Sequence, residues 1–148
     1  MRLPDTLVTL VDYVTQLVYR LTDGRLGEKQ LKYSMLLLHT VGRKTGQTRT
    51  HTLLYVYDGE DIIICASNNG QSRNPAWYLN LKANPRAQVQ AGRRRYEMVA
   101  EIASGEQYER LWQKLLAVRP QYAEYRTRTT REFPIVILKS VNSPDLSS

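Results

Sequence analysis

The chain has 148 residues, of which 42% are hydrophobic and 24% are charged, which is ordinary for a single soluble domain with a real core. The single cysteine, Cys65, excludes an intrachain disulfide, and no unbroken apolar run is long enough to span a bilayer. The net charge of +7 indicates an anionic partner, either nucleic acid, a membrane surface or a polyanionic small molecule.

Residues 1–22 are predicted to form an amphipathic helix, because apolar side chains recur there at helical spacing. Two roles remain open for this helix. It packs on the barrel or on a second subunit of a homodimer, or it makes a peripheral contact with a membrane surface. Since the segment lacks the features of a signal peptide, we expect a cytoplasmic protein that is membrane-associated if the helix binds lipid.

Strand-like patterns dominate from residue 33 onwards. Two apolar runs joined by a Gly-containing turn predict a first hairpin, and Asp58-Gly59 marks the next turn. About six strands are expected, at residues 35–40, 52–57, 61–67, 86–91, 94–103 and 133–138. The strand at 61–67 is nearly all apolar, so it is predicted to be buried on both faces.

Helix signals lie between and after these strands. Asn74 and Pro75 predict a helix start, with Asn74 as the cap. Ser104 begins a capping-box pattern in front of a helix with an apolar inner face, and Pro120 ends or resets that helix. The face of this second helix is expected to consist of Tyr108, Leu111, Trp112, Leu115 and Leu116.

The order of these elements favours an α+β, mainly β fold. Strands that arrive as hairpins argue against a doubly wound parallel sheet and for a small antiparallel barrel with peripheral helices. We expect this barrel domain to occupy residues 33–139 and a disordered tail to occupy residues 140–148.

Most catalytic chemistries lack their residues in this chain. His39 and His51 are the only histidines, and without a Cys/His cluster a metal site is not expected. Cys65 lies in an apolar run and is predicted to be a buried, inert thiol. Nucleophile elbows, paired carboxylates, the dinucleotide fingerprint and the Walker loop are also absent. If the protein is an enzyme, a cofactor carries the difficult step.

Basic side chains cluster in three places. The tip of the first hairpin carries Arg43, Lys44 and Arg49 and no acid, which is either an anion site or a solvated, charged turn. Arg93 to Arg95 and the stretch 126–131 form two further patches with tyrosines nearby. A basic nucleic-acid-binding module is therefore a remote alternative.

Several blocks of the chain resemble the deazaflavin (coenzyme F420)-dependent nitroreductase and quinone reductase family, within the flavin/deazaflavin oxidoreductase superfamily. The resemblance covers nearly the whole chain, from about residue 20 to residue 139. It is carried, in order and at family spacing, by Gly42–Arg49, Ala66–Gly70, Asn74–Pro85, Pro120–Tyr125 and Arg131–Val136.

This resemblance implies a split β-barrel of the FMN-binding type. It also implies an oxidoreductase that transfers a hydride from reduced F420 to an electron-poor small-molecule acceptor: a quinone, a nitro compound or an activated alkene. F420 has an anionic phosphodiester and glutamate tail, which would account for the basic charge, and no nucleic acid is then expected as a partner. The alternative is the same barrel binding FMN, either as an oxidoreductase or as a cofactor-binding protein.

The resemblance assigns site residues on two sides. The cofactor side, for the tail and then the ring, comprises Arg43, Lys44, Gly46, Gln47, Arg49, Ala66, Ser67, Asn68, Trp77 and Asn80. The acceptor side comprises Leu54, Arg119, Tyr122 and Tyr125. The candidate catalytic residues, which position the acceptor or relay a proton, are Tyr122, Tyr125 and Ser67.

A purely structural role remains an alternative for some of these side chains. Trp77 is either near the ring or part of the core, and the two tyrosines are either an acceptor wall or the face of an amphipathic helix. Leu54 and Arg119 stand where the best-known nitro-reducing members of the family have tyrosine. A quinone or another electron-poor acceptor is therefore expected in preference to bicyclic nitro-drugs.

Overall fold

The computed structural model describes residues 35–141, so the predicted helix at 1–22 and residues 142–148 of the predicted tail lie outside the described residues. The strands are β1 (Met35–Val41), β2 (Thr48–Leu54), β3 (Val56–Asp58), β4 (Asp61–Cys65), β5 (Arg86–Ala91), β6 (Arg94–Ile102) and β7 (Ile135–Ser140). The helices are α1 (Ala76–Ala83), α2 (Gly105–Val118) and α3 (Gln121–Arg126). Across these described residues, no helix has the length and apolar character needed to cross a membrane.

All seven strands form one antiparallel sheet in the order β2-β1-β5-β6-β7-β4-β3. β2 and β3 lie at opposite edges of this sheet, yet only Tyr55 separates them in the chain. Because one residue spans only a few ångströms, the sheet must curl until its two edges meet, and β2 also lies against β4. The α+β, mainly β barrel with peripheral helices is therefore confirmed.

About six strands were predicted and seven are observed, and several of the predicted boundaries differ from those of the structure. The run predicted as one strand at 52–57 is broken at Tyr55, where the chain leaves its partner β1 and begins to pair with β4. Residue patterning cannot report such a change of partner, since the apolar run is uninterrupted. β7 begins at Ile135 rather than at residue 133, and it continues to Ser140, inside the segment predicted as tail.

Two hydrophobic cores lie on the two faces of the curled sheet. Ile62 and Ile64 belong to the inner core, whereas Ile63 and Cys65 belong to the outer core beneath α2 and α3. The prediction that this strand is buried on both faces is confirmed. Cys65 is buried, as predicted, and burial raises the pKa of its thiol to about 12, which disfavours the reactive thiolate.

The helices pack as predicted but are capped differently. Tyr108, Leu111, Trp112 and Leu115 are buried on the inner face of α2, and Leu116 packs partly against the same core. Ser104 is the N-cap residue of α2, as predicted, but its side chain makes no capping bond. The prediction of Asn74 as the cap of α1 was wrong, because Pro75 is the cap residue there. The side chain of Asn74 instead accepts a hydrogen bond from Arg131, a partner distant in the sequence.

Candidate functional site

The β1–β2 connection folds into a compact turn. The Gly42 N–H donates to the Gln47 carbonyl at 2.8 Å, and the Gly46 N–H donates to the Gly42 carbonyl at 2.8 Å. The Gln47 N–H donates to the Thr45 hydroxyl at 3.2 Å. The amides of Gly46 and Gln47 are therefore used inside the turn.

The two glycines of this turn have different surroundings. A Cβ on Gly42 would lie 3.0 Å from the Gln47 carbonyl oxygen and 3.1 Å from the Thr45 hydroxyl, so this side of the turn is closely packed. Gly46 has a φ of +73°, and a Cβ there would meet nothing within 4 Å. The turn thus requires glycine at position 46 for its backbone, and the space above it is open to a ligand.

Two cations of the hairpin tip are exposed and available. Lys44 and Arg49 form no ion pair with any residue from 35 to 141. In the same part of the chain, the N–H groups of Lys44 and Thr45 donate no hydrogen bond. Consecutive unused amides beside a cation are a suitable environment for an anion.

The third cation, Arg43, is held by Asn80 of α1. The Asn80 side-chain oxygen accepts from the Arg43 backbone N–H at 3.1 Å and from its Nη1 at 3.2 Å. The Asn80 Nδ2 donates to the Thr40 hydroxyl at 3.1 Å. With only 2% of its surface exposed, Asn80 fixes the hairpin tip to α1, and its predicted cofactor contact remains a prediction.

The loop after β4 contains the residues predicted to lie along the cofactor ring. Ala66 is fully buried and Ser67 is 7% exposed. Asn68, Asn69 and Gly70 all have positive φ values, of 49°, 55° and 77°. The Asn68 side chain donates to the Arg73 carbonyl at 3.0 Å, which ties this left-handed bend together.

Trp77 follows this loop in α1. Its side chain is 3% exposed and belongs to the inner core with Leu81 of the same helix. Most of the indole therefore packs in the core, in agreement with the core-packing alternative.

The predicted acceptor side gathers around α3. Arg119 Nη2 donates to the Tyr125 phenol oxygen at 2.9 Å, and the guanidinium carbon lies 5.7 Å and 5.6 Å from the ring centroids of Tyr122 and Tyr125. Tyr122 is 4% exposed, and burial raises its pKa above the ordinary range for a phenol. Leu54 lies in the same outer core as Tyr122, whereas Tyr125 is only partly buried.

The four parts of the candidate site contact one another two at a time: the hairpin tip with α1, and the loop after β4 with α3. The hairpin tip contacts α1 through Arg43 and Asn80, and the loop after β4 contacts α3 where a Cβ on Gly70 would lie 3.0 Å from the Tyr125 carbonyl oxygen. Between residues 35 and 141, no ion pair or side-chain hydrogen bond links Lys44 to the other predicted site residues. A cofactor that reaches from tip to loop would have to supply that connection.

One residue of this region received no predicted role. Arg131 was noted only as part of a basic patch and of a motif block, yet its guanidinium donates hydrogen bonds to the carbonyls of Ala66 and Ser67 in the loop after β4. The sequence did offer a signal for this role: Arg131 is two residues before Phe133, which is buried, and a charge close to the core needs polar partners.

Comparisons with known proteins agree with the residue blocks described above. A family model for F420H(2)-dependent quinone reductase matches residues 13–140. An F420H(2)-dependent quinone reductase of Mycobacterium tuberculosis is 41% identical over 125 residues, which cover 82% of this chain and 84% of the relative.

Two solved structures share this fold at appreciable identity. An F420-H2 dependent reductase, FDR-A, has a TM-score of 0.66 at 35% identity over 71% of this chain and 93% of its own. A structure described as a domain-swapped dimer has a TM-score of 0.69 at 32% identity over 86% of this chain and 97% of its own. The chain therefore belongs to the F420H(2)-dependent quinone reductase family.

Proposed function

We propose that this protein reduces a quinone with F420H2, using the basic hairpin tip to hold the cofactor. The observation that carries the proposal is a pair of exposed cations, Lys44 and Arg49, on the fold of a family whose members are named for this reaction. One hydride and one proton convert the quinone to a hydroquinone, while F420H2 becomes oxidised F420.

The hairpin tip fits the tail of this cofactor. Lys44 and Arg49 would pair with the phosphodiester and carboxylate groups, and the unused N–H groups of Lys44 and Thr45 would donate to the same oxygens. The open space above Gly46 leaves room for this approach. Holding a flexible anionic tail at several points places the ring without a large apolar surface.

The loop after β4 and α3 would flank the reacting atoms. Bound reduced deazaflavin supplies the hydride. The Ser67 hydroxyl would form a hydrogen bond to the ring or to the acceptor. Since the Tyr125 oxygen accepts from Arg119, its own O–H hydrogen remains to be donated to a quinone oxygen. The positive charge of Arg119 would stabilise the negative charge that develops on that oxygen.

The proposal is tested by mixing the protein with F420H2 and a water-soluble benzoquinone or menadione. We expect the absorbance of oxidised deazaflavin to return at a rate that depends on protein and quinone. Parallel reactions without protein, without quinone and with FMNH2 in place of F420H2 are the controls. Saturable binding and turnover with FMN alone would favour the FMN alternative, and absence of turnover with every quinone would refute the proposed reaction.

We also propose a homodimer and a membrane contact through residues 1–22. A relative that was solved as a domain-swapped dimer supports the first, and light scattering after size exclusion would measure the mass in solution. A monomeric mass at every concentration would refute it. Flotation with anionic and neutral liposomes, comparing the full chain with a chain that starts after residue 22, would test the second.

A further inference from the structure

All the hydrogen bonds that the guanidinium of Arg131 donates go to one loop, Ala66 to Asn74. Its Nη1 donates to the Ala66 carbonyl at 3.0 Å and to the side-chain oxygen of Asn74. Its Nη2 donates to the Ser67 carbonyl at 2.7 Å and to the Gln71 carbonyl at 3.1 Å, and its Nε donates to the same Gln71 carbonyl at 3.2 Å. These five bonds match the five N–H donors that an arginine possesses.

The surroundings of Arg131 do not resemble those of an ordinary ion pair. Within residues 35–141 it has no carboxylate partner, and all its acceptors are neutral. Its charge lies 4.8 Å over the ring of Phe133, and burial lowers its pKa. A partly buried charge without a counter-ion is an inefficient way to stabilise a fold, so the specific geometry of the loop is the more direct explanation.

The loop that Arg131 binds is strained. Asn68, Asn69 and Gly70 are three consecutive residues with positive φ, and two of them carry a Cβ. Such backbone persists only where surrounding contacts over-determine it. The carbonyls that Arg131 holds, those of Ala66, Ser67 and Gln71, lie on both sides of this bend.

The same loop is pressed against α3. A Cβ on Gly70 would lie 3.0 Å from the carbonyl oxygen and 3.2 Å from the Cα of Tyr125, and Arg128 Nη1 donates to the Asn69 carbonyl at 3.4 Å. The loop with Ser67 and the helix with Tyr125 therefore form one packed unit.

We propose that Arg131 is a positioning residue that locks the loop from Ala66 to Asn74 against α3. It would thereby fix the separation between Ser67, on the ring side, and Tyr125, on the acceptor side. The catalytic part of this inference rests on the proposed reductase function. The structural part, that one guanidinium sets the loop's conformation, does not.

The main variant is Arg131→Lys, which keeps the charge but lacks the planar fork of donors. Arg126→Lys is the matched control, because Arg126 is a nearby arginine that stacks on Trp112 at 3.8 Å and donates to the Tyr108 hydroxyl, not to the loop. We expect Arg131→Lys to lower kcat by roughly 10- to 100-fold, as a displacement of about 1 Å can do. The KM for F420H2 should change less than about twofold, since the hairpin holds the tail.

Hydrogen exchange gives a readout that does not need turnover. Amides of residues 67–73 should exchange faster in folded Arg131→Lys, whereas those of the β1–β2 hairpin should not change. Methylguanidinium added to Arg131→Ala should restore part of the loop protection and of kcat, and it should not do so in Arg126→Ala.

The outcomes separate the two claims. Unchanged loop exchange in folded Arg131→Lys would overturn the positioning role, as would a lowered melting temperature with normal kcat. If the wild-type protein gives no turnover, the reductase proposal fails, while the exchange experiment still decides whether Arg131 positions the loop.

Discussion

The three cations of the first hairpin occupy two different environments. Arg43 is engaged by Asn80 through both its backbone and its side chain, so it acts as a tether between the turn and α1. Lys44 and Arg49 are exposed and form no ion pair within the part of the chain that the structure describes. A charged turn that served only for solubility would not require the packed Gly42 and the buried Asn80 behind it.

Replacing Lys44 or Arg49 with Ala should weaken F420 binding by roughly tenfold each, about 1.4 kcal/mol, because each change removes one charge contact to the tail. Titration of F420 fluorescence at low and high salt measures the effect. The loss should shrink as salt screens the remaining charges. Arg93→Ala, an exposed arginine on the β5–β6 turn, is the matched control, and an equal loss there would mean that the effect is non-specific.

The two tyrosines of α3 are expected to differ in their contribution to turnover. Tyr125→Phe removes the hydroxyl that Arg119 orients, so kcat should fall by at least about tenfold, at the lower end of what a positioned proton donor contributes. Tyr122→Phe should remain closer to wild type, because Tyr122 is buried in the outer core. Steady-state kinetics with one quinone tests this, and a larger loss in Tyr122→Phe would contradict it.

For individual residues, the sequence could predict which side chains belong to the candidate site, but not the distant residues that hold them in place. Lys44 and Arg49 stand out because their neighbourhood has no acid. The tethers involve partners 37 residues apart for Arg43 with Asn80, and 57 residues apart for Arg131 with Asn74. Local rules assigned Asn74 to a helix cap, but its side-chain oxygen instead accepts a hydrogen bond from the partly buried guanidinium of Arg131, a charge that needs polar partners.

Among the elements, β3 and α2 are joined by one compact cluster of charges. Arg110 of α2 donates through Nη1 and Nη2 to the two carboxylate oxygens of Asp58, at 2.8 Å and 2.9 Å, and Lys114 Nζ lies 3.3 Å away. The hydrogen bond from Arg110 is the main reason that the pKa of Asp58 falls from 3.8 to about 2. This cluster fixes the outer helix to the short edge strand.

The contribution of Asp58 to stability should depend on pH. Because its pKa is lower in the folded protein, the contribution is present above about pH 4 and is lost as the pH falls towards 2. Asp58→Asn should therefore lower the melting temperature at pH 6 and have less effect near pH 2.5. The Asp58 side chain is 22% exposed and that of Arg110 is 56% exposed, so we expect at most about 1 kcal/mol.

Thermal unfolding of the wild type and of Asp58→Asn across this pH range measures the difference. Asp61→Asn is the matched control, because Asp61 pairs with Lys139 at 3.3 Å without a bidentate arginine. A constant difference between wild type and Asp58→Asn at all pH values would contradict the assignment.

The accuracy of prediction differed between elements for a physical reason. α2 was predictable because its buried residues repeat at helical spacing within one segment. The division between β2 and β3 at Tyr55 was not, because it depends on which strands pair with each half. Pairing is decided by chain closure around the whole barrel, and no local pattern encodes it.

For the whole molecule, β4 links the two cores. Ile64 fills the inner core and Ile63 the adjacent outer core, and both are fully buried. Ile64→Ala and Ile63→Ala should each lower the free energy of unfolding by about 2–5 kcal/mol, through lost burial and a residual cavity. If the cores form one cooperative unit, both variants should shift the same single transition in urea.

Urea unfolding followed by tryptophan fluorescence and by circular dichroism tests this, since Trp77 lies in the inner core and Trp112 in the outer core. The partly buried Val99→Ala on β6 is a control with a smaller expected loss. Two separate transitions in either variant would show that the cores unfold independently.

During translation, β7 is synthesised after the other six strands of the sheet. Until residues 135–140 leave the exit tunnel, β6 and β4 each lack the neighbour that lies between them, and the nascent chain holds two sheet fragments with unpaired edges. Such edges are where growing chains associate wrongly or bind chaperones. The barrel is therefore completed only after its last strand has been synthesised, and a premature stop before Ile135 should yield aggregated protein instead of a smaller working enzyme.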